Sequence, residues 1–152
     1  MSDWNLPRTG ACRCGRIEFE ITAAPLLTMA CHCTGCQRMA SSAFSLSVAV
    51  PSSGFAVTKG ETVVGGLHGD SEHHFCSYCM SWLFTHPGQG MTGQFVNVRP
   101  TMFDDPGPLA VPFVETMTSE RLPWATTSAV HSFETFPPME DYLALTEAFS
   151  KA

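Results

Sequence analysis

Seven cysteines gathered into three short clusters constrain this chain more than any other feature of its 152 residues. Cys12-Arg13-Cys14, Cys31-His32-Cys33-Thr34-Gly35-Cys36 and Cys76-Ser77-Tyr78-Cys79 hold every thiol, and none is scattered elsewhere. The number is odd, and a C-x-C pair is too short to close an easy disulfide. The pattern therefore reads as metal binding rather than an oxidised framework. It divides as four plus three. A structural zinc takes a closed tetrahedron of four protein ligands, whereas a catalytic zinc keeps three and leaves one position open.

Cys76-x-x-Cys79 has the spacing of a zinc knuckle, and Cys12-x-Cys14 supplies the other half of a tetrahedron. Cys12, Cys14, Cys76 and Cys79 are therefore assigned to one structural zinc, contributing on the order of 10 kcal/mol to folding. The plainer alternative is pairs of reduced, buried thiols. Cys31, Cys33 and Cys36 can reach a second ion and form the candidate catalytic site. Three thiolates leave zinc a mild Lewis acid, suited to a reaction in which the substrate is itself a thiol. The competing reading is a second structural zinc, closed by His73, His74 or His86.

His32 lies between two ligand cysteines, where an extended backbone turns its side chain away from theirs, so it reads as a supporting or surface group. His73 and His74 read as solvated. Arg13, Arg16 and Arg38 stand beside thiol clusters and account for three of only eight Lys and Arg residues. Arg38, two residues past Cys36, is the candidate for binding an anionic substrate or cofactor; ordinary surface solvation is the alternative. Phe44, Met39, Met80, Trp82 and Trp124 are either pocket walls or plain core.

The net charge of −6 argues against electrostatic binding to nucleic acid or an acidic membrane. No apolar run approaches the roughly 20 residues needed to span a bilayer. The N-terminus has no basic region followed by an apolar run, so no signal peptide is expected there. A reducing, cytoplasmic setting is the expectation, with a small-molecule partner. Monomer and homo-oligomer are both compatible with the sequence.

Along the chain, residues 1–9 read as a lead-in. Arg16 to Thr22 alternates polar and apolar, the period-2 mark of a half-buried strand, and Phe44 to Val50 does the same before Pro51. Thr62 to Val64, Ser81 to Thr85 and Gln94 to Arg99 are further strands. Gly65-Gly66, Pro87-Gly88-Gln89-Gly90 and Asp104 to Pro108 read as turns. Thr34 is a candidate cap for a short helix through Ala40. Met139, Tyr142, Leu143 and Phe149 recur at near-helical spacing, so residues 138–152 are expected to form a C-terminal helix packed on or trailing the domain. The class is mainly β with short helices.

Gly10-x-Cys12-x-Cys14-Gly15, Cys31-His32-Cys33-x-x-Cys36 and Phe75-Cys76-x-x-Cys79 together resemble the glutathione-dependent formaldehyde-activating enzyme family, which includes centromere protein V. Phe44 to Pro51, Asp104-Asp105-Pro106, and Trp124 before Phe136-Pro137 extend the resemblance over residues 10–137. It implies a β-tent fold of antiparallel sheets built around zinc. It also implies two zincs per chain, a structural one on Cys12, Cys14, Cys76 and Cys79 and a catalytic one on Cys31, Cys33 and Cys36. The implied activity is a carbon–sulfur lyase reaction on the adduct of glutathione and formaldehyde, or on another small thiol adduct. The other reading is a non-catalytic zinc module for a protein or cytoskeletal partner. Three positions depart from the family pattern. Met80 and Ser41-Ser42 stand where glycine is usual, and His73-His74 where arginine is common.

Overall fold

The computed structural model describes residues 3–88 and 94–152, the side chains of residues 66–68 excepted. In order, the chain forms β1 (Arg8–Ala11), β2 (Glu18–Ile21), β3 (Leu27–Cys31), α1 (Thr34–Ala40), β4 (Ser45–Pro51), β5 (Phe55–Lys59) and β6 (Val63–His68). It continues through β7 (Ser71–Phe75), β8 (Trp82–His86), β9 (Phe95–Val98), β10 (Val114–Thr116), β11 (His131–Ser132) and α2 (Asp141–Lys151). The chain is mainly β, as its alternating segments predict: among the described residues, eleven strands make two sheets beside two α-helices.

One sheet has three strands in the order β1-β2-β5, and the other eight in the order β11-β10-β3-β4-β9-β8-β7-β6. They pack face to face. Ile17, Phe19 and Ile21 from the small sheet's side meet Val48, Val50, Val96 and Val98 of the large one in a single buried cluster. Phe19 packs edge-on to Phe103, with centroids 5.1 Å apart, and Phe55 edge-on to Phe84 at 4.8 Å. Burying each such side chain stabilises the fold by roughly 1.5–3 kcal/mol. Gly10 lets Phe19 pass, because a Cβ there would overlap the Phe19 ring and the Met102 carbonyl.

The other face of the large sheet carries the second core. Leu27 and Ala49, paired across β3 and β4, pack with Leu145 and Phe149 of α2. Phe149 also stacks on Trp4 and meets Phe113 edge-on, with centroids at 5.7 and 5.5 Å. The C-terminal helix is thus docked on the sheet.

Several local expectations need correction. β1 begins at Arg8, inside the stretch read as a lead-in, and is held there by antiparallel pairing to β2 that no local pattern announces. Gly65 and Gly66 lie within β6 at an irregularity in its pairing with β7, so they mark a bulge rather than a turn. The segments β3, β5, β10 and β11 carry no legible alternation. Of the expected turn at Pro87 to Gly90, Gln89 and Gly90 lie outside the described residues. No helix among the described residues is long and apolar enough to cross a membrane.

Candidate metal centres and active site

The four-thiol cluster joins the two sheets. Cys12 and Cys14 come from the turn after β1, and Cys76 and Cys79 from the turn between β7 and β8. Cys12 Sγ and Cys14 Sγ are 3.6 Å apart, and Cys14 Sγ and Cys76 Sγ 3.7 Å. A tetrahedron with Zn–S bonds of about 2.3 Å has edges of about 3.8 Å, so the spacing suits zinc. All four sulfurs lie within 4.8 Å of one another. The Arg13 backbone N–H donates to Ser81 Oγ at 3.1 Å, tying one turn to the other. Met80 closes the knuckle at φ 57, the left-handed angle that its place after the last cysteine demands.

The second cluster forms where β3 ends and α1 begins. Cys31 is the last residue of β3, and Cys33 caps α1, its Sγ accepting from the Cys36 N–H at 3.3 Å. The cap is therefore Cys33 and not Thr34, whose N–H and hydroxyl both donate to Glu120 Oε1. Gln37 Nε2 donates to the carbonyls of His32 and Glu120, so the loop at 118–120 holds the helix from outside. Ser41 ends α1 at φ 51, again left-handed where glycine would be free of strain.

The Sγ atoms of Cys31, Cys33 and Cys36 lie within 4.8 Å of one another, and no histidine or carboxylate joins them among the described residues. The hydrogen bond from Cys36 holds the Cys31 thiol down to about 5 against the effect of burial, and the same sharing pushes Cys36 up. The thiolate is the form that ligates a metal. The donor chemistry and spacing fit a soft divalent ion such as zinc. All seven cysteines are free of disulfides.

His32 is wholly buried rather than at the surface, with its ring edge on Phe44. Its Nε2 donates to Glu115 Oε2 at 2.9 Å, which fixes the backbone between two of the thiols. Glu115 also accepts from Ser132 Oγ at 2.5 Å and Thr127 Oγ1 at 2.8 Å. Burial works against its charge, but these bonds and His32 outweigh it and hold its carboxyl below the usual range.

His73 is buried, not solvated, and belongs to a network that a sequence reading misses. Trp82 Nε1 and Arg99 Nη2 both donate to Thr85 Oγ1 at 3.0 Å, leaving the Thr85 hydroxyl proton for His73 Nδ1 at 2.9 Å. Arg99 stacks over Trp82 at 3.6 Å and donates from Nη1 to the Leu46 carbonyl at 2.9 Å. Burial lowers its pKa to about 10, while the charges of Cys36 and Cys31 pull the other way, so it is a cation within reach of the thiols. A bulge in β8 places Trp82 and Thr85 on one face of the sheet, opposite Phe75 and His73. The one sequence signal was a charged residue closing an apolar strand in a chain poor in basic residues.

Arg38 sits exposed in the last turn of α1, beyond the three thiols. Arg13 and Arg16 belong to the four-thiol region, where Arg16 lies over the Tyr78 ring at 3.6 Å. Met80, 59% exposed, follows Cys79 and so flanks the four-thiol cluster, and Trp124 is 72% exposed. Neither is core.

The model of the family described as glutathione-dependent formaldehyde-activating enzyme matches residues 7–119. The chain belongs to that family. Both thiol clusters fall inside the matched residues, whereas α2 lies outside them. The chain is also similar in structure to the crystal structure of a Rhodobacter sphaeroides protein. It is 18% identical, with a TM-score of 0.53, over 63% of this chain and 87% of that one. At that identity the likeness speaks for the fold. No curated protein is significantly similar in sequence.

Proposed function

We propose that this chain is a zinc-dependent enzyme of carbon–sulfur chemistry that joins formaldehyde to the thiol of glutathione, or handles another small thiol adduct. The observation that carries the reading is three sulfurs converging with no fourth protein ligand among the described residues, in a chain of the formaldehyde-activating family. Cys31, Cys33 and Cys36 would hold the catalytic zinc, which when bound supplies a soft Lewis acid that favours the thiolate form of a bound thiol. Cys12, Cys14, Cys76 and Cys79 would hold the structural zinc.

The chain's own residues prepare the site. His32, fastened to Glu115, sets the angle of the strand end that carries Cys31 and Cys33. Arg99 offsets negative charge on the thiols from within the core. Arg38, at the exposed end of α1, would meet a carboxylate of a tripeptide-sized thiol. The new bond forms between the substrate sulfur and the carbonyl carbon. Its oxygen then takes up one proton, balancing the one released by the thiol. Free cysteines and thiolate metal sites suit a reducing compartment, in keeping with a cytoplasmic setting.

A native mass spectrum with and without glutathione, followed by a formaldehyde turnover assay, tests the reading. Two zincs per chain, a specific glutathione adduct and turnover are the expected results. Two zincs with neither adduct nor turnover would redirect the site to another thiol or to a non-catalytic binding module.

A further inference from the structure

Cys14 is the one exposed cysteine of the seven; Cys12 and Cys76 are buried and the rest half-buried. The four-thiol cluster thus has a closed inner side and an open edge, and that edge is a sulfur. Cys14 Sγ stands 3.6 Å from Cys12 Sγ and 3.7 Å from Cys76 Sγ, unbonded but one small movement from a disulfide. The turn that carries it has room for the movement. At Gly15, φ 78, an added Cβ would meet no atom within 4 Å.

The two neighbours are not equivalent. A single residue separates Cys12 from Cys14, and a disulfide closed over so short a span strains the backbone. Cys12 is also pinned: its N–H donates to the Ile17 carbonyl and its carbonyl accepts from the Gly15 N–H, both at 3.0 Å. Its Sγ accepts from the Ile17 N–H at 3.4 Å. Cys76 lies 62 positions on from Cys14, in the turn between β7 and β8. A bond from Cys14 to Cys76 closes no tight ring, and it ties the same two turns that the metal would tie.

Thiolate character and exposure decide which cysteine an oxidant reaches, and a second thiol beside it makes the oxidation reversible. Ligation to zinc keeps the sulfurs as thiolates. We infer that Cys14 is a modification site for hydroperoxides, resolved by Cys76 into a disulfide that replaces the metal as the tie between the sheets. The inference rests on the zinc assignment above only for the release of metal. In the first step the Cys14 thiolate attacks one peroxide oxygen and the O–O bond breaks. Cys14 becomes a sulfenic acid, and the departing oxygen takes a proton. The Cys76 thiolate then attacks the Cys14 sulfur and displaces hydroxide, which takes a second proton to give water. Two thiolates have lost two electrons, the peroxide has gained them, and zinc loses two of its four ligands. A reducing thiol reverses the bond by attacking the exposed Cys14 sulfur and displacing Cys76.

The test treats the full-length, zinc-loaded protein with one equivalent of hydrogen peroxide. Non-reducing peptide mass spectrometry maps the disulfides while a chromogenic chelator counts free zinc. A Cys14–Cys76 linked peptide, one zinc released per chain and an unchanged circular dichroism spectrum are the expected results. Dithiothreitol with added zinc should restore the starting protein. A first bond between any other pair overturns the inference, as does first oxidation at Met80 or within Cys31, Cys33 and Cys36. Zinc release without the Cys14–Cys76 bond, or a chain left reduced, overturns it too. A protein that binds no zinc yet forms the bond removes the metal assignment alone and upholds Cys14 and Cys76.

Discussion

His32 Nε2 and Glu115 Oε2 stand 2.9 Å apart although 83 positions separate them, and the histidine is wholly buried between two thiols of the three-cysteine cluster. The bond joins the end of β3 to its parallel neighbour β10. Glu115→Gln should therefore lower stability by about 1–3 kcal/mol, since a charged acceptor of three side-chain hydrogen bonds becomes neutral. It should also weaken zinc at Cys31, Cys33 and Cys36 by about 10-fold or more, read by competition with a chromogenic chelator.

Acid should erode this difference. The Glu115 carboxyl is held below its ordinary value of 4.5, so its contribution is complete above that value and is lost as pH falls through the lower folded value. The stability gap between wild type and Glu115→Gln in urea unfolding is expected to hold above about pH 5 and to narrow as pH falls below 4.5. A gap that widens on acidification would reverse the sign argued here.

Cys76→Ser and Cys33→Ser separate the two centres. The first opens the cluster that joins both sheets and should remove several kcal/mol of the roughly 10 kcal/mol such a site contributes, leaving little folded protein. The second should stay folded by circular dichroism and lose one metal by native mass spectrometry. Equal unfolding in both variants would sink the four-plus-three division.

Thr85 Oγ1 accepts from Trp82 and Arg99 and donates to His73, all inside the protein. Thr85→Val keeps the shape and strands three buried polar groups, for an expected loss of about 3 kcal/mol. Guanidinium denaturation measures it, and a loss below about 1 kcal/mol would show the network to be slack.

Met80 is exposed at φ 57, so its side chain adds strain and little packing. Met80→Gly should stabilise the protein by about 0.5–1 kcal/mol, the relief of left-handed strain exceeding the added entropy of the unfolded chain. The same holds for Ser41→Gly at φ 51. Thermal melts of both variants would check the sign, and a lower melting point would contradict it.

The sequence by itself determined two thiol clusters that could hold a metal ion, because spacing acts over a few residues: C-x-C and C-x-x-C turns bring sulfurs together wherever they are placed. It also determined the mainly β class, since period-2 alternation in β2 and β4 follows from burying one side of a strand. The departure from glycine at Met80 was legible too, as a position needing a backbone angle that a side chain must tolerate, whereas the left-handed angle at Ser41 came only with the structure. Only the tertiary structure decided which groups surround the thiols. Glu115, Arg99 and Thr85 come from β10, the end of β9 and β8, and only Arg99, a charge closing an apolar strand, left a local trace. Their meeting is set by strand order, and such long-range pairings are not written in any one window of the chain.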